Sequence, residues 1–268
     1  MSILVAGHYC HDTVLSNAGE HRALGGTAAY ASAVLQSLGE PHEVAAKVGA
    51  DFLYAERVAK KPLVVQHART TSFVVDYRSG ERRERVLAVC EPLLPGDLRG
   101  SYEVGMACAV AGEIPPETLA RLRAICRVVV ADAQSVLREI TPQGEVRLGP
   151  LPPGAAAQLH FLKASKREAE RLDLATLRTK LTLVITDGAR GCTVFTARDE
   201  THVPAFPAEQ RDPTGAGDCF LAGFAVGIAR GLGALRAARI GAYCGARAVE
   251  HVGVPRLTPA QARAALKA

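Results

Sequence analysis

Asp212-Pro213-Thr214-Gly215-Ala216-Gly217-Asp218, preceded by Arg211 and followed at once by Cys219-Phe220-Leu221-Ala222-Gly223-Phe224, decides how this chain reads. Pro213 and Gly215 oppose a regular helix or strand on the upstream side. The run from Phe220 to Ile228 reads as a buried helix, which puts Gly215-Ala216-Gly217 at its N-terminal turn. There the backbone N–H groups lack intrahelical partners, and the positive end of the helix dipole attracts an anion. Two glycines let that anion approach the backbone closely. Asp218 would repel a phosphate that is merely bound. It makes chemical sense if its carboxylate takes a proton from a hydroxyl that attacks the phosphorus, which points to phosphoryl transfer. Taken alone, Asp218 could equally be an ordinary first-turn helix acid.

Outward from this stretch, short apolar runs alternate with helical patterns. Strands are expected at Ile3–Ala6, Val44–Val48, Gly105–Ala111, Val128–Ala131, Phe161–Lys163 and Leu183–Thr186. Helices are expected near Thr27–Leu38, Pro116–Ile125, Lys166–Arg171, Leu174–Lys180, Phe220–Arg230, Leu235–His251 and Pro259–Lys267. Continuous apolar strands joined by helices predict an α/β fold, a doubly wound, mostly parallel sheet with helices on both faces. Two segments depart from that pattern. Residues 13–24, with Asn17-Ala18-Gly19 as the turn, and residues 70–89, turning at Ser79-Gly80, read as hairpins. Together they would make a small β lid, or else two plain surface hairpins.

The 268 residues fit one large domain, taken as residues 1–268. A hydrophobic content of 48% supplies a sizeable core and excludes a disordered chain. The net charge of +5 is spread along the sequence, with one basic cluster at Arg82-Arg83-Glu84-Arg85. Aromatics make up 5% and Trp is absent, which argues against a base-stacking surface for nucleic acid. The seven cysteines show neither zinc spacing nor close pairs and read as buried thiols in a reducing compartment. No signal segment or bilayer-spanning run is visible, so the expected location is the cytoplasm, without membrane attachment.

The remaining chemistry-bearing residues sit where open α/β sheets bind ligands, past the strand C-termini. Asp12 follows the first strand and could accept bonds from substrate hydroxyls or simply shape a turn. Gly25-Gly26-Thr27 precedes a helix: Thr27 suits an N-cap, and the diglycine would let a polyol lie on bare backbone. Glu113 could face the substrate or cap the helix at Pro116. Ser165 and Glu168 have capping-box spacing. Gly188 and Gly191 fit a tight turn between Leu183–Thr186 and Cys192–Thr196. No Arg or Lys flanks Asp12, Gly25-Gly26 or Glu113, which disfavours an anionic substrate unless Arg22 or Lys47 reaches in through the fold.

The string at 212–218 resembles the C-terminal signature of the ribokinase-like (PfkB) carbohydrate kinases, and the other motifs follow in that family's order. The resemblance implies Asp218 as the catalytic base and the amides of Gly215, Ala216 and Gly217 as an anion hole. It implies Asp12, Gly25, Gly26, Thr27 and Glu113 as substrate contacts, with Thr27 standing where Asn is usual. Ser165 and Glu168 match an Asn-x-x-Glu box that organises Mg²⁺, again with Ser for Asn. Thr186, Asp187, Gly188 and Gly191, with Gly217, match a turn along ATP. Asp212 and Thr214 would help to hold a monovalent cation such as K⁺, and Val48-Gly49-Ala50-Asp51 matches a motif whose Asp is mainly structural. Gly-His-Tyr-Cys-His-Asp, Gly-Glu-Ile-Pro-Pro-Glu-Thr-Leu and Phe-Leu-Lys-Ala-Ser look like the plant myo-inositol kinases of this family, in which both departures also occur. The expectation is an ATP- and Mg²⁺-dependent kinase acting on a cyclic polyol, myo-inositol first, as a monomer or a lid-mediated homodimer. The alternatives are another sugar, a sugar acid or a nucleoside as acceptor, or a catalytically silent binding subunit.

Overall fold

The computed structural model describes residues 2–17, 19–76, 78, 79 and 83–268. Ala18 of the first expected turn, Gly80 of the second and Arg82 of the basic cluster lie outside the described residues. Along the chain run β1 (Ile3–Ala6), β2 (Cys10–Ser16), β3 (Gly19–Gly25), α1 (Thr27–Ser37), β4 (His42–Ala45), β5 (Lys47–Gly49), β6 (Leu63–Val65), β7 (Ser72–Asp76) and β8 (Arg83–Ala88). There follow β9 (Tyr102–Ala107), α2 (Pro116–Ile125), β10 (Cys126–Asp132), α3 (Gln134–Leu137), β11 (Arg138–Ile140), β12 (Val146–Leu148), β13 (Phe161–Ser165), α4 (Lys166–Ala169) and α5 (Leu174–Leu177). The chain ends with β14 (Thr182–Thr186), β15 (Cys192–Phe195), β16 (Glu200–Val203), α6 (Ala216–Ala229), α7 (Gly233–Ala248) and α8 (Pro259–Lys267).

Eight strands form the main sheet in the order β16-β15-β14-β13-β10-β9-β1-β4. All neighbours from β4 through β14 are parallel, and β15 and β16 close one edge antiparallel. This is a doubly wound, mostly parallel α/β architecture, with apolar side chains on both sheet faces. Ile3 and Val5 of β1 pack into a core shared with α1, α6 and α7. Leu4 and Ala6 pack into a second core with α2 and the β10–β13 region. Period-2 alternation therefore splits one continuous apolar strand between two cores, as a sheet covered on both sides requires.

The expected strand Val44–Val48 is broken. Its first half is β4 of the main sheet, while Lys47–Gly49 leaves to pair with β6. Leu63 N donates to Ala46 O at 2.9 Å, where the two halves part. The strand expected at Gly105–Ala111 lies earlier, at Tyr102–Ala107, because Glu113 gathers the amides of Val110 and Ala111 into a turn. Helix α6 begins at Ala216 rather than Phe220, which puts Gly217 and Asp218 inside its first turn. The hairpin β11–β12 and strand β16 carry too little apolar pattern to announce themselves in sequence.

The two expected hairpins exist as β2–β3 and β7–β8, and they join through a parallel β2–β7 pairing into a four-stranded sheet ordered β3-β2-β7-β8. No helix of the described residues is long and apolar enough to cross a membrane.

Helix α6 is buried on nearly every side, and small residues let α7 approach it. A Cβ on Gly227 would lie 2.5 Å from Ala237 Cα, and one on Gly223 would lie 2.8 Å from Cys244 Sγ. The neighbour of Gly227 is backbone and cannot rotate away. Gly227→Ala should therefore lower unfolding free energy by about 1–3 kcal/mol despite alanine's better helix propensity. Urea titration measures this, with Gly96→Ala as a control, since Gly96 has open space around it.

Candidate active site

Two cavities lie along the C-terminal ends of the parallel strands and share Pro213 and Gly217. The first, about 270 Å³, is roofed by the small sheet and holds Asp12, Gly26, Thr27, Gly215, Gly217 and Asp218 of the expected set. The second, about 680 Å³, includes Thr186, Gly188, Gly191, Ala216 and Gly217. Residues 200 positions apart in sequence thus meet in one place. Expected acceptor groups lie on one side of Gly217 and expected nucleotide groups on the other.

The shape of the α6 first turn explains its glycines. Gly215 is the N-cap with φ 75°, ψ 0°, a left-handed conformation that favours glycine, and the Tyr30 ring lies directly against its Cα. A Cβ on Gly217 would lie 2.8 Å from Lys163 Nζ. Ala216 N donates to Pro213 O at 3.3 Å. The N–H groups of Gly215, Gly217 and Asp218 find no partner among the described residues, as expected for a helix start. Of the expected donor trio, Gly215 and Gly217 keep unpartnered N–H groups, while that of Ala216 is engaged in a turn.

Around Asp218 the structure gathers residues that the sequence reading missed. Gln134 Nε2 donates to Asp218 Oδ1 at 3.3 Å. Lys163 Nζ donates to Asp132 Oδ2 at 2.7 Å in a buried ion pair. Arg138 lines the same cavity, donates through Nη1 to Val110 O at 3.2 Å and pairs with Glu84 Oε1 at 3.6 Å. Asp132 and Lys163 stand near the C-termini of β10 and β13, central parallel strands, and that position was the one signal available in sequence. Arg22 and Lys47 do not serve this cavity. Arg22 pairs with Glu20 on the surface, and Lys47 is buried against Asp97 and Pro92 O.

Burial, seconded by the Asp132 charge, pushes the Asp218 carboxyl up to about 7, while Lys163 and Arg138 pull it down. Burial works against the Lys163 ammonium, but the carboxylates of Asp132, Glu168 and Asp218 outweigh it and hold its pKa up. A carboxyl that titrates near neutrality suits a base that must accept a proton and release it again.

Several expected contacts have other local roles. Thr27 is not the N-cap of α1; Gly26 is, with φ 83°, and the Thr27 hydroxyl donates to Cys108 O. At Gly25 the Asp12 carboxylate occupies the space where a Cβ would stand, so a side chain there would displace Asp12. Glu113 neither lines the cavity nor caps the helix at Pro116. It is buried, and Oε2 accepts from Val110 N and Ala111 N at 2.7 and 2.6 Å. Ser165 and Glu168 form the capping box of α4, with Glu168 Oε2 accepting from Ser165 N and Oγ at 2.7 Å. Asp187 pairs with Arg190 and Lys166 beside the second cavity. Asp212 ties its loop together, accepting from Thr214 N at 2.9 Å and Gly253 N at 3.3 Å. Asp51 likewise holds Thr70, through N and Oγ1 at 2.8 and 2.7 Å.

A family model described as pfkB family carbohydrate kinase matches residues 5–261. The chain is 39% identical to an inositol 3-kinase of Zea mays over 282 aligned positions, covering 96% of this chain and 74% of that protein. It is 40% identical to an inositol 3-kinase of Arabidopsis thaliana, covering 95% and 75%. Among solved structures, a pyrophosphate-dependent kinase in the ribokinase family superposes with a TM-score of 0.84 at 21% identity, covering 98% of this chain and 99% of that one.

With Asp218 as the base, the acid limb of kcat/KM should fall with an apparent pKa near 7 rather than near 4, since protonation would remove the proton acceptor as pH drops. Lys163→Gln removes a cation that favours the carboxylate, so it should move that limb to higher pH. Asp218→Asn should lower kcat by about 10²–10⁴-fold with donor binding retained. Rate profiles from pH 5 to 9 and donor titrations check all three.

Proposed function

The chain belongs to the pfkB family of carbohydrate kinases, and we propose that it transfers the γ-phosphoryl group of ATP to a hydroxyl of myo-inositol. The 3-hydroxyl, the position for which the plant relatives are named, is the assigned acceptor. The observation that carries the acceptor class is the charge of the first cavity. Four carboxylates line it (Asp12, Glu84, Asp132, Asp218) against two cations, and each cation is already paired. A sugar acid would meet this wall with its own negative charge. A neutral ring rich in hydroxyl donors meets acceptors instead.

In this reading the acceptor hydroxyl lies beside Asp218. Its oxygen forms the new bond to the γ-phosphorus as the bond to the ADP oxygen breaks, and its proton passes to the Asp218 carboxylate. Gln134 holds that carboxylate in place. The N–H groups of Gly215, Gly217 and Asp218 aim at the charge that spreads over the phosphoryl oxygens, with the ammonium of Lys163 beneath Gly217. Lid closure by the small sheet keeps water from competing as the acceptor. The second cavity, floored by Phe206, Phe220 and Val249, is predominantly apolar and large enough for a nucleoside. A pyrophosphate donor would leave it unfilled.

Among the described residues no group of three or more metal-ligating side chains stands together. This fits an Mg²⁺ that arrives on the donor's phosphates. Glu168, which commits only Oε2 to its cap, would hold the hydration shell. When bound, Mg²⁺ neutralises phosphate charge. K⁺ belongs to the same reading, beside Asp212 and Thr214. The seven cysteines, all buried and free, suit the cytoplasm.

A screen of inositols, pentoses, hexoses, sugar acids and nucleosides, with ATP or pyrophosphate as donor, tests the proposal. The expected result is the highest kcat/KM for myo-inositol with ATP. A sugar acid or nucleoside as the best acceptor would overturn the acceptor assignment, and faster turnover with pyrophosphate would overturn the donor. Asp12→Ala should lower kcat/KM for myo-inositol by about 1.5–3 kcal/mol in transition-state terms, the scale of hydrogen bonds lost to a charged group.

A further inference from the structure

The register of the small sheet fixes which side chains share its inner face. Asp12 pairs with Phe73 and Val14 with Val75 across the parallel β2–β7 ladder. Phe73 pairs with Val86 and Val75 with Glu84 across the antiparallel β7–β8 ladder. Directly paired residues project to the same side. One face therefore carries Asp12, Phe73, Val75, Glu84 and Val86, and the alternate residues Arg83, Arg85 and Leu87 are exposed on the other. Phe73, Val75 and Val86 are buried, and Asp12, Phe73, Val75 and Glu84 all border the first cavity. The lid thus presents two carboxylates separated by an apolar strip, one on β2 and one on β8. These strands are two apart, about 10 Å between backbones.

Arg138 completes the Glu84 end. It opens β11, six residues after Asp132, and its side chain is only 17% exposed. Beyond Val110 O and Glu84, its N–H donors have no partner among the described residues. The hairpin that Arg138 begins is bound to the lid: Val86 N donates to Gly144 O at 2.8 Å, and Arg85 Nε donates to Gln143 O at 3.0 Å. The guanidinium is therefore held at the lid–core seam and faces the same space as the two carboxylates.

We propose that Glu84 and Arg138 form a second hydroxyl-gripping pole opposite Asp12, with Phe73 and Val75 as an apolar floor between them, so that the lid face selects a six-membered polyol ring. The inference rests on the cyclic-polyol reading of the acceptor. A cyclohexane polyol has C–H groups on its faces and hydroxyls around its rim. The C–H face lies on Phe73 and Val75, away from water. Rim hydroxyls on one side donate to Asp12. On the other side they donate to Glu84 and accept from Arg138, which supplies the donor that a carboxylate lacks. A furanose, with a smaller rim, engages one pole at a time. The Glu84–Arg138 contact also orients both side chains before substrate arrives, which lowers the ordering cost on binding.

Steady-state kinetics of the full chain, wild type against Glu84→Gln, Arg138→Gln and the double variant, with myo-inositol and ATP varied in turn, tests the pole. At pH 9, above the acid limb that Arg138 helps to hold down, each single change should raise KM for myo-inositol by roughly 10- to 100-fold, with kcat within about threefold and KM for ATP unchanged. The double variant should lose less than the product of the two single losses, since the pair acts as one unit. Arg138→Lys should restore only part of the loss, because a point charge does not reproduce the guanidinium fork. Thermal unfolding of each variant should match wild type. Unchanged KM for myo-inositol would overturn the pole while leaving the inositol kinase reading intact. So would KM values for myo-inositol and ATP that rise together, or faster hydrogen exchange of β7 and β8 without substrate; either result would make the pair a lid strap. A wild-type enzyme that ignores myo-inositol but turns over another acceptor would remove the underlying reading and the pole with it.

Discussion

The space beneath the first turn of α6 is the constraint on which the rest of the site depends. The buried ammonium of Lys163 stands where a side chain at 217 would go, and the Tyr30 ring stands where one at 215 would go. Position 215 must be bare, because its φ of 75° and the Tyr30 ring leave no room for a side chain; at 217 a side chain would displace the end of Lys163. Once the turn forms, its unpaired N–H groups face a cation from one side and Asp218 from the other. An anion entering this corner meets favourable charge from backbone and side chain together. Asp218 does not close the corner, because Lys163, Arg138 and partial protonation of its own carboxyl keep its negative charge in check.

That balance relies on pairing. Lys163 is buried and would be costly alone, so Asp132 accompanies it at 2.7 Å. Asp132 in turn raises the Asp218 carboxyl, so the residue that stabilises the cation also tunes the proposed base. One short stretch supplies most of the arrangement: Asp132 ends β10, Gln134 begins α3 and reaches Asp218, and Arg138 begins β11 and reaches Glu84. From 132 to 138 the backbone runs from the reacting corner to the lid seam. A shift of the β11–β12 hairpin would therefore be felt at both ends.

Much of this was legible in sequence where the causes are local. The Ser165–Glu168 capping box, the helix at Pro116–Ile125 and the strand at Ile3–Ala6 follow from spacing and apolar runs, and they stand where spacing puts them. The 212–218 string announced its turn because proline and glycine are informative one at a time. What stayed hidden depends on neighbours distant in the chain. Gly25 and Gly26 read as a surface for a ligand; in the fold the Asp12 carboxylate packs against Gly25, and Gly26 holds a positive φ close to the His8 backbone. Thr27 has the chemistry of a cap but turns its hydroxyl to Cys108, 81 residues away. Asp132, Lys163 and Arg138 went unremarked in sequence, because they meet only once the sheet order sets β10 beside β13 and brings the β11–β12 hairpin to the small sheet.

The position of Gly217 between two cavities explains why acceptor and donor selection can be built from unrelated parts. The donor side draws on the β14–β15 turn and the α6–α7 surface, all on the main sheet. The acceptor side draws on the lid sheet and the 132–138 stretch. Only Pro213 and Gly217 border both, so a change in the lid face alters the ring that fits without disturbing the nucleotide cavity. In the proposed reading a single turn supplies the chemistry, and specificity rests on a sheet whose inner face needs only period-2 alternation to keep its apolar strip and its polar ends in register. A one-residue slip in the β7–β8 pairing would turn Glu84 outward and bring the neighbouring Arg83 and Arg85 to the cavity. The irregularity between Ser72 and Phe73, the strapping of Arg85 and Val86 to the β11–β12 hairpin and the pairing of Glu84 with Arg138 all hold the strand against that slip.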